Sequence, residues 1–178
     1  MKVAFLDRDG VINEDVGYLC NWKDFKYKCS VKSALKMLVN AGYRLIVVTN
    51  QSGIARGYYS EEEFHLLMIK IRQDLEKSRI NLLDVFYCPH HINGTLKEYT
   101  VDCECRKPKP GLFFQAFKKY DIDVTKSVMF GDNISDLKAA EAAGISERFL
   151  LSNGEDTRYK SLIFEDLEVA VKSFLAGK

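Results

Sequence analysis

An apolar run that ends in two aspartates lies at the start of this chain of 178 residues. Residues 3–6 read Val-Ala-Phe-Leu, and Asp7 and Asp9 follow directly. Four apolar residues bounded by charge predict a buried strand. In open α/β sheets, ligands and catalytic groups gather at the carboxyl ends of strands. Side chains two residues apart on an extended segment leave on the same side, so we expect both carboxylates to reach one ion or substrate.

A turn with solvated carboxylates is the alternative for this stretch, because Asp and Gly are favoured in turns. Three later segments favour a site instead. Thr49 to Gly53 follow a second apolar run, Arg106-Lys107-Pro108 open a third segment, and Gly131-Asp132 close a fourth apolar run. These segments would bring a hydroxyl, a lysine and a third carboxylate to the sheet edge that carries the first two. A turn alone does not explain that set.

Strand and helix patterns alternate along the chain, which predicts an α/β fold with a doubly wound, largely parallel sheet. The expected strands are 3–6, 44–49, 82–87, 128–130 and 149–151, and the expected helices begin near residues 31, 60, 110, 136 and 167. Ser60 and Glu63 form a capping-box pattern at one helix start. One loop, one helix and one strand use up residues 9–49, so no cap domain fits there. We expect a single domain over residues 1–178.

Composition excludes several classes of partner. The chain has 26 basic and 25 acidic residues, so it lacks the basic field that holds a nucleic acid. No apolar run approaches 18 residues, so we expect no membrane span. The first strand begins without a basic and apolar leader, which predicts a cytoplasmic protein. We expect a monomer.

Cysteine and histidine cluster between residues 88 and 105, a segment without helical or strand periodicity. A structureless loop of this length is uncommon in a compact domain. Its ligand set, Cys88, His90, Cys103 and Cys105, is typical of a closed tetrahedral zinc site, which would be structural. The alternative is a loop with unpaired cysteines. We expect Cys20 and Cys29 to be reduced structural thiols.

This order of motifs resembles the haloacid dehalogenase superfamily of phosphohydrolases from Met1 to about Leu151. The Cys/His loop is similar to that of the members that remove the C7 phosphate of heptose 1,7-bisphosphate in nucleotide-heptose biosynthesis for lipopolysaccharide. The resemblance implies a core without a cap domain and a nucleophilic Asp7. It also implies that the backbone carbonyl of Asp9 binds the metal and that His90, not His91, is the zinc ligand.

Phosphoryl transfer to a carboxylate brings two anions together, and a hard divalent cation removes that obstacle. Asp7, Asp9 and Asp132 offer the oxygen ligands that suit Mg²⁺. We therefore expect Asp7 to form an aspartyl-phosphate and Asp9 to act as general acid and base. Thr49 and Lys107 are expected to hold the transferring phosphoryl group.

The expected site is an open bowl for a phosphorylated sugar. Its predicted substrate-binding residues are Asp15, Val16, Gly17, Tyr18, Thr49, Asn50, Gln51, Ser52, Arg106, Lys107 and Asn133. Arg106, and less directly Arg56 or Lys109, could pair with a second phosphate. Asp136 is either a contact in the site or a charge favoured at a helix start. The alternative functions are a histidinol-phosphate phosphatase and a phospho-acceptor signalling domain.

Overall fold

The computed structural model describes residues 1–152 and 163–177. Its centre is a six-stranded sheet with the order β3-β2-β1-β4-β5-β6, in which every pair of neighbours is parallel. The strands are β1 (Val3–Leu6), β2 (Arg44–Asn50), β3 (Leu82–Cys88), β4 (Val128–Gly131), β5 (Glu147–Leu151) and β6 (Ile163–Phe164). The doubly wound parallel sheet predicted from the sequence is confirmed.

Six α-helices accompany these strands in the described residues. They are α1 (Val31–Asn40), α2 (Ser52–Ala55), α3 (Glu61–Lys77), α4 (Gly111–Lys119), α5 (Ile134–Ala142) and α6 (Leu167–Ala176). The capping box predicted at Ser60 is present, with the Glu63 amide donating to the Ser60 hydroxyl and the Ser60 amide donating to the Glu63 carboxylate. The sequence patterns missed α2 and β6, because four residues and two residues are too short to show a period.

The sheet is covered on both faces, as buried parallel strands require. Alternate residues of β1 belong to different cores: Ala4 and Leu6 pack with the side chains of α1, α3 and α6. Val3 and Phe5 pack on the opposite face with those of α4 and α5. Both faces of β1 are therefore dry, which is why its four residues are all apolar.

The direction of winding reverses beside β1, since β2 and β3 lie on one side of it and β4 to β6 on the other. Such a reversal opens a crevice at the carboxyl ends of the strands. Asp7 follows β1 directly and so enters that crevice. Between Asp9 and Lys107 the described chain forms a loop, three helices, two strands and the Cys/His loop, and it contains no cap domain. No helix in residues 1–152 and 163–177 is long and apolar enough to cross a membrane.

Candidate active site

An open cavity of about 720 Å³ lies at the carboxyl ends of β1, β2 and β4. Most of the predicted site residues line it. The lining comprises Asp7, Asp9, Asp15, Gly17, Tyr18, Asn50, Gln51, Ser52, Gly53, Tyr59, Arg106, Lys107, Pro108, Asp132, Asn133, Ser135 and Asp136. The four motifs, widely separated in sequence, therefore meet in one place.

Lys107 is the buried cation of this cavity. Its Nζ contacts Asp7 Oδ1 at 3.1 Å and Asp136 Oδ1 at 2.6 Å, and it donates to the Val48 carbonyl at 2.7 Å. An ammonium group has three donors, and these three acceptors match them. The neighbouring carboxylates raise the pKa of Lys107 although burial opposes this effect, so the side chain stays charged.

Three carboxylates surround this one ammonium group. Oxygens of Asp7, Asp132 and Asp136 lie within 4.8 Å of one another. Burial is the main cause that raises the pKa of Asp7 to about 7 and the pKa of Asp132 to about 6, and the adjacent carboxylates add to it. One lysine cannot neutralise three acids, so the cluster has an excess of negative charge that a divalent cation would compensate.

Asp136 takes part in this cluster with both oxygens already engaged. Oδ1 accepts from Lys107, and Oδ2 accepts from the Asn133 amide at 3.0 Å in the capping box of α5. The two roles left open by the sequence are thus both present: Asp136 accepts from the Asn133 backbone in the first turn of α5, and it contacts Lys107 in the site. Asp7 and Asp132 remain as the carboxylates with capacity for a cation.

Gly10 allows Asp132 to come this close. Its φ of +75° favours glycine, and a Cβ at this position would collide with the Asp132 carboxylate. Lys28 donates to the Gly10 carbonyl at 2.8 Å and fixes the peptide from the other side. The turn after the two aspartates is therefore part of the site.

Asp9 lies in the same cavity, but the reason first given for its position is wrong. The strand β1 ends at Leu6, and the chain turns instead of staying extended. The Asp9 carboxylate is consequently outside the cluster of three carboxylates. It accepts bonds from Arg8, from Asn13 Nδ2 at 2.9 Å and from Gln51 Nε2 at 3.0 Å. Metal binding through the backbone carbonyl of Asp9 stays a prediction.

The side chains at the carboxyl end of β2 hold other parts of the site in place. The Thr49 hydroxyl is buried and accepts from Gln51 Nε2 at 2.9 Å, and it can still donate one bond of its own. The Asn50 amide bonds the backbone of Lys107 twice, accepting from its N–H and donating to its carbonyl, each at 3.1 Å. Asn50 thereby holds the backbone that carries the buried lysine.

Of the four rim residues predicted at 15–18, three line the cavity. Asp15, Gly17 and Tyr18 line it, whereas Val16 is 56% exposed and lines a neighbouring pocket. Val16 does not line this cavity, and its contact with a substrate stays a prediction.

The basic residues considered for a second phosphate differ in their surroundings. Arg106 lines the cavity, and its Nη1 donates to the His90 carbonyl at 3.2 Å. Lys109 instead pairs with Asp102 at 2.8 Å and Glu104 at 3.1 Å outside the cavity. The structure thus favours Arg106 and leaves Lys109 without a place in the site.

The Cys/His loop brings its predicted ligands together. The Sγ atoms of Cys88 and Cys103 are 3.5 Å apart, those of Cys103 and Cys105 are 3.3 Å apart, and His90 Nδ1 is 3.3 Å from the Cys105 sulfur. Tetrahedral Zn–S bonds of about 2.3 Å would place two sulfurs about 3.8 Å apart, so the four groups fit a zinc ion. His91 lies elsewhere, with Nδ1 accepting from the Asn93 amide at 3.0 Å.

Comparison with known proteins identifies the family to which this chain belongs. The sequence profile of haloacid dehalogenase-like hydrolases matches residues 6–144. The chain belongs to the haloacid dehalogenase-like hydrolase family. This membership accounts for the order of the four motifs and for the sheet on which they stand.

Individual relatives cover nearly the whole chain. The chain is 49% identical to D-glycero-alpha-D-manno-heptose-1,7-bisphosphate 7-phosphatase of Photorhabdus laumondii, over 88% of this chain and 86% of that one. It is 46% identical to D-glycero-beta-D-manno-heptose-1,7-bisphosphate 7-phosphatase of Haemophilus influenzae, over 86% of this chain and 83% of that one. A solved D,D-heptose 1,7-bisphosphate phosphatase from B. bronchiseptica, in complex with magnesium and phosphate, superposes with a TM-score of 0.83 at 28% identity over 100% of both chains.

Sequence reasoning missed two side chains in the haloacid dehalogenase-like site. Arg8 is fully buried and pairs with Asp9 at 2.7 Å, although a charged residue is normally predicted on the surface. Tyr59 lines the cavity and donates to Gln51 at 2.6 Å. A signal existed for Arg8, since it lies between the two aspartates, whereas nothing in the sequence pointed to Tyr59.

Proposed function

We propose that this chain is a magnesium-dependent phosphatase that hydrolyses the C7 phosphate of D-glycero-D-manno-heptose 1,7-bisphosphate to heptose 1-phosphate. One observation carries the reaction type: Asp7, which follows the central strand directly, lies beside a buried lysine and in a cluster of carboxylates that faces an open cavity. The 7-phosphatase relatives at 41–49% identity support the substrate.

Asp7 is the nucleophile in this mechanism. Its Oδ1 accepts from the Arg8 amide at 2.8 Å and from Lys107, so two donors fix this oxygen. We assign Oδ2 as the atom that attacks phosphorus, forming the aspartyl-phosphate as the bond to the sugar oxygen breaks. Lys107 remains beside the transferring group and balances its charge, and the Thr49 hydroxyl supports a phosphoryl oxygen.

Asp9 supplies and removes protons. It donates a proton to the departing C7 oxygen, and it then takes one from the water that hydrolyses the aspartyl-phosphate. The donors from Arg8, Asn13 and Gln51 hold its carboxylate in one place at the cavity wall. A carboxylate held in one orientation increases the rate of proton transfer, because the reacting atoms need no further conformational change to meet.

A magnesium ion would be held by Asp7 and Asp132, with the Asp9 carbonyl as a further ligand. When bound, it neutralises the carboxylates and the phosphate so that the two anions can meet. The structural reason for assigning the ion to this place is that oxygens of Asp7 and Asp132 lie within 4.8 Å of each other at the cavity wall. We also assign a structural zinc ion to Cys88, His90, Cys103 and Cys105, and a single domain to residues 1–178.

Arg106 is assigned to the second phosphate of the substrate. An open bowl admits any protruding primary phosphate, so selectivity must come from groups that bind the remainder of the molecule. Arg106 is the guanidinium that lines the cavity beside Lys107. Its planar donors suit a phosphate better than a point charge does.

The test is kcat/KM for heptose 1,7-bisphosphate, in both C1 anomers, against heptose 7-phosphate and histidinol phosphate. Loss of one charged contact should reduce kcat/KM for the monophosphate by roughly ten- to hundredfold, or about 1.5–3 kcal/mol. Arg106→Gln should remove this preference, and Lys109→Gln, at the paired surface lysine, should keep it. Equal use of the monophosphate would contradict the Arg106 assignment. A preference for histidinol phosphate would replace the proposed substrate.

A further inference from the structure

Tyr59 occupies the back of the catalytic cavity without touching the catalytic carboxylates directly. It lies in the short connection between α2 and α3, and its ring is almost fully buried. Its hydroxyl donates to Gln51 Oε1 at 2.6 Å, the short end of the range for such bonds. Burial raises the pKa of Tyr59 above its ordinary value, so the hydroxyl keeps its proton.

Gln51 turns this single bond into two. An amide NH₂ has two donors, and those of Gln51 go to Asp9 Oδ2 at 3.0 Å and to Thr49 Oγ1 at 2.9 Å. The reversed amide would place its oxygen against the Asp9 carboxylate and its NH₂ against the tyrosine O–H. The tyrosine and the carboxylate therefore select the same orientation of the amide.

The backbone holds the tyrosine in this position. Gly53 lies against the Tyr59 ring, and a Cβ at Gly53 would overlap the ring atoms. The Tyr58 amide also donates to the Gly53 carbonyl at 2.9 Å, which fixes the residue that precedes Tyr59. The ring therefore packs directly on the Gly53 backbone, and this contact places its hydroxyl beside Gln51.

We propose that Tyr59 is a positioning residue, which acts through the Gln51 amide to hold Asp9 and Thr49 in their reactive orientation. The inference rests on the proposed function, in which Asp9 is the acid and base and Thr49 supports the phosphoryl group. Tyr59 affects the rate because it restricts, through one amide group, two side chains that act on the reacting phosphate in the proposed mechanism. Substrate affinity, which depends on the rim, does not depend on this bond.

Tyr59→Phe tests the link, because it removes the hydroxyl and keeps the ring that packs on Gly53. We expect kcat to fall roughly tenfold, the value of one hydrogen bond, while KM stays within about twofold. Tyr120→Phe is the matched control, since its hydroxyl donates to Asp84 at 2.9 Å on a different part of the surface. Both variants lose one hydrogen bond, but only the first should change kcat.

A double-mutant cycle separates positioning from general loss of stability. Gln51→Met breaks the same link from the other side, and Tyr59→Phe should then have no further effect on kcat. Independent, additive losses would overturn the inference, as would a Tyr59→Phe enzyme with wild-type kcat. Melting temperatures of all variants exclude unfolding as the cause. If the wild type fails to hydrolyse the bisphosphate but hydrolyses p-nitrophenyl phosphate, the proposed substrate fails while the cycle can still be measured.

Discussion

The acidic cluster makes a specific prediction about stability in the absence of magnesium. Burial and the neighbouring carboxylates raise the pKa of Asp7 from 3.8 to about 7 in the folded chain. Between these two pH values the folded state binds more protons than the unfolded state, so its stability falls as pH rises. A difference from 3.8 to about 7 corresponds to about 4 kcal/mol once Asp7 is ionised.

Asp7→Asn removes this cost, because the amide has the shape of the carboxyl group and no charge. Without magnesium at pH 8, we expect the variant to exceed the wild type in free energy of unfolding by about 1–4 kcal/mol. The lower bound allows for the ion pair between Asp7 and Lys107, which the Asp7→Asn variant loses. At pH 5 Asp7 is protonated in the folded state but still mostly ionised in the unfolded state, so the difference should be smaller than at pH 8 by roughly 2–3 kcal/mol.

The assay is urea unfolding of both proteins at pH 5 and pH 8, with and without magnesium, after dialysis that avoids chelators and so keeps any zinc in place. Comparison with the variant cancels the pH dependence of the Cys/His loop, which both proteins share. Magnesium at pH 8 should stabilise the wild type and leave Asp7→Asn nearly unchanged. Equal stabilities at pH 8, or a difference of the same size at pH 5, would refute the electrostatic argument.

Three further outcomes follow from the site. Asp7→Asn should reduce kcat for phosphate release to below about a thousandth of the wild-type value. Asp9→Asn should also be severely impaired in the same assay. If Asp7→Asn kept more than about a tenth of the wild-type activity, Asp7 would not be the nucleophile. Cys103→Ser should contain less zinc by elemental analysis, and it should have a lower Tm and slower phosphate release. Absence of zinc from wild-type protein purified without chelators would exclude the site. Lys107→Met should lose turnover and be less stable at pH 8 than at pH 5, because Asp7 and Asp136 lose their shared cation. A Tm of this variant that is the same at both pH values would contradict this.

The sequence predicted the elements whose residues have one dominant environment. The strand Val3–Leu6 is buried on both faces, so its run of apolar residues has a single explanation. The helix after Ser60 was predicted because the capping box satisfies two backbone donors locally. The cluster of Cys and His side chains between Cys88 and Cys105 was likewise predicted from short spacings along the chain. Each of these predictions depends on neighbours along the chain.

The sequence could not predict contacts that depend on tertiary placement. The spacing of Asp7 and Asp9 suggested a shared ion, but the strand ends at Leu6 and the turn directs Asp9 to Arg8 and Gln51. The position of Arg8 between two aspartates suggested an ion pair, but its full burial depends on the tertiary packing around that pair. Tyr59 becomes part of the site only when the connection after α2 brings its hydroxyl to Gln51. Tertiary contacts decided each of these cases.

The Cys/His loop shows how a structural feature reaches the chemistry. The amide of Gln51 donates to the Cys88 carbonyl at 2.8 Å, and the amide of Ala55 donates to the Pro89 carbonyl at 3.2 Å. The same loop leads directly into Lys107, whose backbone Asn50 holds from β2. Both ends of the loop therefore contact groups that support the cavity: one end accepts from the backbone of Gln51, whose side chain bonds Asp9, and the other end leads into the buried Lys107. The described residues form no cap domain over this open site, so we expect the Cys/His loop to order these groups. Disorder in the loop should therefore lower kcat even where every catalytic side chain is intact.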